Sequence, residues 1–529
     1  MGIEGKIKRG ETALGIEFGS TRIKAVLVTD DGKPAGSGSY TWENRYINGI
    51  WTYTLEDIQN GLQAAYSDLI KNLRMKYSII PKTYGSIGIS AMMHGYMAFD
   101  SEDRLLVPFR TWRNTITEKA ADELTALLQY PIPQRWNIAH LYHSILNNEQ
   151  HLDKLSYITT LAGYVHFMLT SQHVIGIGDA SGMFPIDIAT RDYNKEMISA
   201  FDAAAKEHGF DKPLEGLLPQ VLCAGEHAGQ LTEEGARLLD PSGHLEAGIP
   251  LCPPEGDAGT GMTATNSVRP RTGNVSAGTS VFAMVVLDKE LEKLHKEIDL
   301  VTTPSGDLTA MVHCNNCTSE LNAWVGIFRE LVDRLGYEVD TGDLYKELFE
   351  ISLIGDADCG GLTACNYLSG EHITGFDEGR PMFVRTPDSS FTLANFMRAQ
   401  LFSSLATLKI GLDILLKEEK VGVDRITGHG GFFKTENVGQ RILAAAANAP
   451  VSVMKTAVEG GAWGIALLAA YMTQKKDGES LADWLDGHVF CDAESSMVSP
   501  VKEDRDGFDS FMERYKKTLN VERTAVDSL

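Results

Sequence analysis

One loop design occurs twice in this chain of 529 residues. The first copy is Leu14-Gly15-Ile16-Glu17-Phe18-Gly19-Ser20-Thr21, followed by an apolar run from Ile23 to Val28. The second is Gly273-Asn274-Val275-Ser276-Ala277-Gly278-Thr279-Ser280, followed by Val281 to Leu287. Each reads as a strand, a tight turn of glycine and hydroxyl residues, and a second strand. Glycine at such a bend lets backbone N–H groups approach a ligand closely, and the neighbouring Ser or Thr adds a donor. One such turn is an ordinary hairpin. Two in one chain suit a pair of loops that clamp the phosphates of a single nucleotide.

The elements around each copy follow one order. After the first hairpin come a strand over Gly36 to Trp42, a helix from Leu55 to near Leu73, a buried strand at Tyr84–Ser90 and a short strand near Met97–Asp100. After the second come a strand at Leu308–Val312, helices at Ser319–Leu335 and Phe391–Leu416, a strand at Arg425–Thr427, a helix at Glu436–Asn448, a strand at Val451–Met454 and a helix at Ala462–Met472. Residues 116–220 read as largely helical, with an extended piece at His173–Asp179. Strands that begin as a hairpin and continue through helices predict mixed sheets in an α/β fold. The plan is duplicated, with domains over 1–265 and 266–529 and hinge candidates at Pro253, Pro254, Gly256, Gly259 and Gly261. The charged tail from about Glu503 either packs back as a helix or frays.

A formal charge of −23 argues against general affinity for nucleic acid or an anionic membrane. A phosphate site must then be local, built from backbone N–H groups, a cation and a few basic side chains. The seven cysteines are scattered, and only Cys314-Asn315-Asn316-Cys317 brings two close in sequence. Without a second pair or nearby histidines, that spacing reads as two structural thiols rather than zinc or redox chemistry. No secretory signal core is present, and no run reaches about 18 uninterrupted apolar residues. The N-terminal Met1-Gly2 lacks the hydroxyl that myristoylation requires. A reducing, cytoplasmic setting is expected.

Four segments carry candidate chemistry. In Pro254-Glu255-Gly256-Asp257-Ala258-Gly259-Thr260-Gly261, glycines around one acid suit a carboxylate held at a helix start, where Asp257 could take a proton from an attacking hydroxyl. Its plainer reading is a helix cap. Gly428-His429-Gly430-Gly431 lies between a strand and a helix, a place that seats adenine and ribose against backbone. Met92-Met93-His94-Gly95 ends a strand, at the usual mouth of an α/β site, and Trp112-Arg113-Asn114 offers an aromatic plane with polar heads for a polyhydroxylated ligand. His94 and Trp112 also read as ordinary core residues. Glu459-Gly460-Gly461-Ala462 supplies small residues for a close helix contact, read as lying between the two domains.

Taken in order from about residue 13 to 475, these segments resemble the FGGY family of carbohydrate kinases. The resemblance implies two actin-like, ribonuclease-H-like ATPase domains around a central cleft. Gly15 to Thr21 and Ser276 to Ser280 look like the two phosphate loops, and Gly256-Asp257 matches the Gly-Asp that carries the catalytic base. Tyr367-Leu368-Ser369-Gly370-Glu371 is similar to a second-domain signature, and Ser319 to Trp324 fits the helix before it. The implied cofactors are ATP and Mg²⁺. The implied nucleotide contacts are Gly19, Ser20, Thr21, Lys24, Gly278, Thr279, Ser280, Gly430, Gly431 and Lys434. Sugar contacts fall on Met93, His94, Gly95, Trp112, Arg113 and Asp257. The partners implied are a sugar and ATP, with no nucleic acid or membrane and with room for a homodimer.

Three departures from the family pattern matter. Met93-His94-Gly95 is similar to the Met-His-Gly of xylulokinases, but the preceding glutamine is Met92, and the usual Trp-Asn-Asp is Trp112-Arg113-Asn114. The pattern, with Phe432 to Thr435 and Glu459 to Gly464, looks more like a divergent pentose branch, with L-ribulose the expected sugar and D-xylulose, or another sugar or polyol of the family, the alternative. The acid that holds magnesium through water is normally aspartate and here is Glu17. An outer carboxylate tolerates the extra methylene, because Mg²⁺ keeps several waters. Two rival classes on this fold, a nucleotide-gated chaperone and a sugar-sensing regulator, would want a peptide-binding β-domain or a basic DNA-binding module. Neither is evident in this acidic chain.

Overall fold

A computed structural model describes residues 2–454, 460–491 and 495–529. The chain forms two compact units, one of Met1–Arg269, Asp299–Thr309 and Thr456–Ala493, the other of Pro270–Ile298, Ala310–Lys455 and Glu494–Leu529.

In the first unit, β1 (Thr12–Phe18) and β2 (Arg22–Thr29) form an antiparallel hairpin, with β3 (Pro34–Thr41) antiparallel to β2. Helix α1 (Leu55–Tyr77) starts at a capping box, in which the Thr54 hydroxyl accepts from Asp57 N–H at 3.1 Å and the Asp57 carboxylate accepts from Thr54 N–H at 3.0 Å. Its apolar stripe from Ile58 to Leu73 buries against the sheet. β4 (Ser86–Ala91) and β5 (Glu255–Gly256) extend the sheet in parallel on the other side of β1, giving the order β5-β4-β1-β2-β3. Helix α2 (Asp257–Ala264) follows β5 directly. The three parallel strands β1, β4 and β5 all end on one edge, which is where ligands bind in open α/β sheets.

The second unit repeats the plan. β6 (Thr272–Ala277) and β7 (Val281–Val286) form the hairpin, β8 (Leu308–Cys314) lies beside β7, and α3 (Leu393–Asp413) is buried almost all round. β9 (Arg425–His429) runs parallel to β6, and β10 (Val451–Met454) parallel to β9. The chain then returns to the first unit with α4 (Gly460–Gln474), before β11 (Ser495–Val498) pairs antiparallel with β10. Helix α5 (Lys502–Ser528) packs back on the second unit, where its Asp504 takes the guanidinium of buried Arg398 at 2.7 Å. The segment Leu393–Glu418 has the length and hydropathy to cross a membrane, yet most of it is buried inside the protein. It is a core helix.

Several expectations change. The units are not the two contiguous halves, since α4 belongs with the first, and the chain leaves that unit at Arg269. Gly256, Gly259 and Gly261 lie in β5 and α2, inside one unit, and form no hinge. Glu459 lies outside the described residues, but Gly461 and Ala462 make their close contacts with β1 and α2 of the same unit rather than between domains. All seven cysteines are free, and Cys314 and Cys317 are buried.

Candidate active site

Three chain segments meet at the end of the first sheet. β4 runs out into Met92-Met93-His94-Gly95, where His94 and Gly95 take left-handed φ values of 68° and 90°. A histidine in that region is strained and persists only where its surroundings hold it. Here the ring is buried, with Nδ1 at 3.3 Å from the Gly182 carbonyl oxygen and the ring stacked on Trp136 at 6.4 Å. Asp257 is the first residue of α2, with Gly256 as the cap, and its Oδ1 accepts the Met93 N–H at 3.0 Å. Gly256 is required, because a Cβ there would run into the Met93 side chain. One hydrogen bond thus ties the expected base to the expected sugar loop. Asp257 keeps exposed surface, so it can meet a ligand, while the protein packed around it pushes its pKa above the ordinary carboxylate range.

Glu17, near the end of β1, lies directly across the hairpin from Lys24. Its Oε2 accepts the Ala462 N–H at 3.2 Å, in the first turn of α4. Burial and the nearby Asp257 charge push its pKa to about 7. A Cβ on Gly461 would collide with Glu17 Oε1 and with Thr260 Oγ1. The longer acid therefore fits because position 461 has no side chain. Two repelling carboxylates suit a hard divalent cation that keeps most of its water. Among the described residues no three His, Cys, Asp or Glu side chains gather to hold an ion unaided.

Gly19, Ser20 and Thr21 form the β1–β2 turn, closed by Gly19 N–H to the Arg22 carbonyl at 3.0 Å. Trp42 Nε1–H and the Tyr53 hydroxyl donate to the Gly19 and Ser20 carbonyls at 2.7 and 2.6 Å. Trp112 Nε1–H donates to Ser20 Oγ at 3.3 Å, joining an expected sugar contact to the first phosphate loop. Arg113 lies over the Trp51 ring at 4.1 Å and is exposed. Asn114 differs: its amide is spent on Trp51 N–H and on the Trp51 and Thr111 carbonyls, so it braces the loop and faces no ligand.

In the second unit, Gly278, Thr279 and Ser280 turn between β6 and β7, and Gly430 and Gly431 follow the parallel neighbour β9. Gly430 has φ 102°, and a Cβ there would strike the Ala277 carbonyl oxygen. The two glycine loops therefore lie side by side. Lys434 stands exposed at the end of the short turn Gly431–Phe433.

Two acids went unassigned in the sequence. Asp179 is 1% exposed, accepts the Thr160 hydroxyl at 2.6 Å, and has its pKa pushed by burial to about 7. Glu255, also 1% exposed, accepts the N–H groups of Gly178 and Asp179 at 3.2 and 3.0 Å, and burial pushes its pKa to about 8. Glu255 was visible beside Asp257, but nothing in the sequence signalled that residues near 179 would fold onto it.

Residues 12–261 match the FGGY family of carbohydrate kinases, N-terminal domain, and residues 273–473 match its C-terminal domain. The chain belongs to the FGGY family. It is a sugar kinase that transfers phosphate to an alcohol. It is 24% identical to the xylulose kinase of Haemophilus influenzae, over 89% of this chain and 92% of that one. It is 21% identical to that of Lactococcus lactis, over 87% of each. A xyloylose kinase from Brucella ovis shares its fold, with TM-score 0.76, 20% identity and coverage of 96% of this chain and 99% of the other. So does a gluconate kinase from Lactobacillus acidophilus, with TM-score 0.76, 18% identity and coverage of 96% and 98%. The actin-like fold of these kinases is therefore the fold of this chain.

Proposed function

We propose that the acceptor is a ketopentose and that ATP phosphorylates its terminal hydroxyl. The observation that carries this is the Asp257 Oδ1 to Met93 N–H bond, which sets an ionisable carboxyl against the Met93-His94-Gly95 loop. A sugar hydroxyl is a poor nucleophile near neutral pH, and Asp257 takes its proton as the new P–O bond forms. Gly19, Ser20, Thr21, Gly278, Thr279 and Ser280 hold phosphate oxygens, with Lys24 and Lys434 as the basic side chains. Gly430 and Gly431 seat adenosine. Glu17 would hold Mg²⁺, which would supply positive charge against the nucleotide phosphates. His94, Gly95, Trp112 and Arg113 bind the sugar.

Within ketopentoses, Met92 and Trp112-Arg113-Asn114 depart from the ordinary D-xylulokinase pattern, and the overall pattern, with Phe432 to Thr435 and Glu459 to Gly464, favours L-ribulose, whereas similarity to two xylulose kinases favours xylulose. A coupled ADP-release assay across L-ribulose, D-xylulose, D-fructose, gluconate and glycerol decides the matter. One ketopentose should exceed every hexose, acid and polyol in kcat/KM by about tenfold or more. Preferred turnover of gluconate or glycerol would remove the ketopentose assignment and leave the kinase.

A further inference from the structure

The segment Cys314-Asn315-Asn316-Cys317-Thr318 has no role in the reaction described above. Its thiols are buried, and burial pushes both well above the ordinary thiol pKa, so they make poor redox or metal groups. Its backbone, however, meets the second phosphate loop. The Thr318 N–H and hydroxyl both donate to the Gly278 carbonyl, at 3.0 and 2.7 Å, and the Cys317 N–H donates to the Thr279 carbonyl at 3.0 Å.

Two successive carbonyls of the loop are thus pinned to one side. A trans peptide is planar and carries its C=O and N–H in opposite directions, and no described peptide bond is cis. Pinning the Gly278 and Thr279 carbonyls therefore turns the Thr279 and Ser280 N–H groups away from the segment. Consecutive N–H groups on one side form a cradle for phosphate oxygens.

The segment is itself held from behind. Glu371, fully buried, accepts the N–H groups of Asn315 and Asn316 at 3.0 and 3.2 Å. Asn316 Oδ1 in turn accepts the N–H groups of Leu368 and Ser369 at 3.0 and 3.1 Å, and Asn366 Nδ2 donates to the Cys317 carbonyl at 3.0 Å. The Tyr367 to Glu371 signature is in this way connected to the phosphate loop through a continuous set of hydrogen bonds.

We propose that Thr318 is a positioning residue for nucleotide phosphate: its hydroxyl and N–H fix the Gly278 peptide so that the loop presents its N–H groups to the ligand. The inference rests on the ATP reading of that loop. Thr318→Val keeps the shape and the backbone donor but removes the hydroxyl, and Thr318→Ser restores it.

The test is calorimetric binding of ADP to the intact protein, with KM measured separately for ATP and for sugar. Loss of one hydrogen bond predicts ADP binding and KM for ATP weakened by about tenfold in Thr318→Val. Sugar KM should be unchanged and Thr318→Ser should sit near the wild type. Thr318→Ala carries the same expectation and stands in if the valine variant does not fold. Wild-type ADP affinity in a folded Thr318→Val or Thr318→Ala variant, or an equal loss for ATP and sugar, overturns the inference alone. A wild-type protein that binds no ADP overturns both the inference and the nucleotide reading beneath it.

Discussion

Asp257 and Glu17 are two carboxyls to which the proposed reaction gives different duties, and their surroundings differ accordingly. Asp257 is anchored by one backbone N–H, keeps exposed surface and has an elevated pKa, all of which suit a proton acceptor for an alcohol. Replacing it by Ala or Asn should lower kcat by about a hundredfold or more, with ADP affinity little changed. Near-normal turnover in a steady-state assay would remove the base assignment. Glu17 is more enclosed, tied to the start of α4 and opposite Lys24, which suits holding a hydrated cation in place. Glu17→Gln should raise the Mg²⁺ concentration for half-maximal rate by about tenfold, because one charge of the outer shell is gone. A magnesium titration that superimposes on the wild type would show that the cation is held elsewhere.

At the scale of elements, α4 matters most, because it brings a late segment of the chain back against β1 and α2 before the chain leaves again for the second unit. Two of its glycines face different neighbours and should fail differently. A Cβ on Gly464 meets the backbone of Thr260, which cannot move aside without shifting α2. Gly464→Ala should therefore destabilise the fold by about 1–3 kcal/mol, seen in chemical denaturation. A Cβ on Gly461 meets first the carboxylate end of the flexible Glu17 side chain and the Thr260 hydroxyl. Gly461→Ala should fold and lose about tenfold in kcat as the Glu17 carboxylate is pushed aside. Equal turnover in Gly461→Ala and the wild type would deny Glu17 a demanding position.

This helix also marks the limit of what the sequence discloses. The hairpin strands Thr272–Ala277 and Val281–Val286 were legible to within a residue, since a glycine-hydroxyl turn between apolar runs is local chemistry. Helix Ser319–Arg334 fell within a residue of expectation, and the third strand came two residues early at its start. Met93 and Asp257 were legible as candidates, but their shared hydrogen bond was not. Nor were the return of α4 to the first unit, the fit of Glu17 over Gly461, or the gathering of Asp179 beneath Glu255. Each depends on residues far apart in the chain, to which local propensity and periodicity are blind.

The whole molecule concentrates a liability that should be visible in its stability. It carries a formal charge of −23, and it buries Asp179 and Glu255 while enclosing Glu17, with pKa values pushed to about 7, 8 and 7. A carboxyl whose pKa is raised on folding is protonated in the native protein at a pH where the unfolded chain has already lost the proton. The native state then binds more protons, so stability falls as pH rises. For Glu255 the window runs from its ordinary 4.5 to about 8; its contribution is fully present below the window and lost above it. Thermal unfolding without ligands should therefore shift down by several degrees between the two ends of that window. General repulsion in an acidic protein acts in the same direction, so a falling melting temperature alone does not identify the buried acids. Glu255→Gln separates the two causes: the amide cannot ionise, net charge changes by only one, and the slope across the window should flatten. A slope as steep in that variant as in the wild type would assign the effect to surface charge and leave Glu255 without the burden that its burial implies.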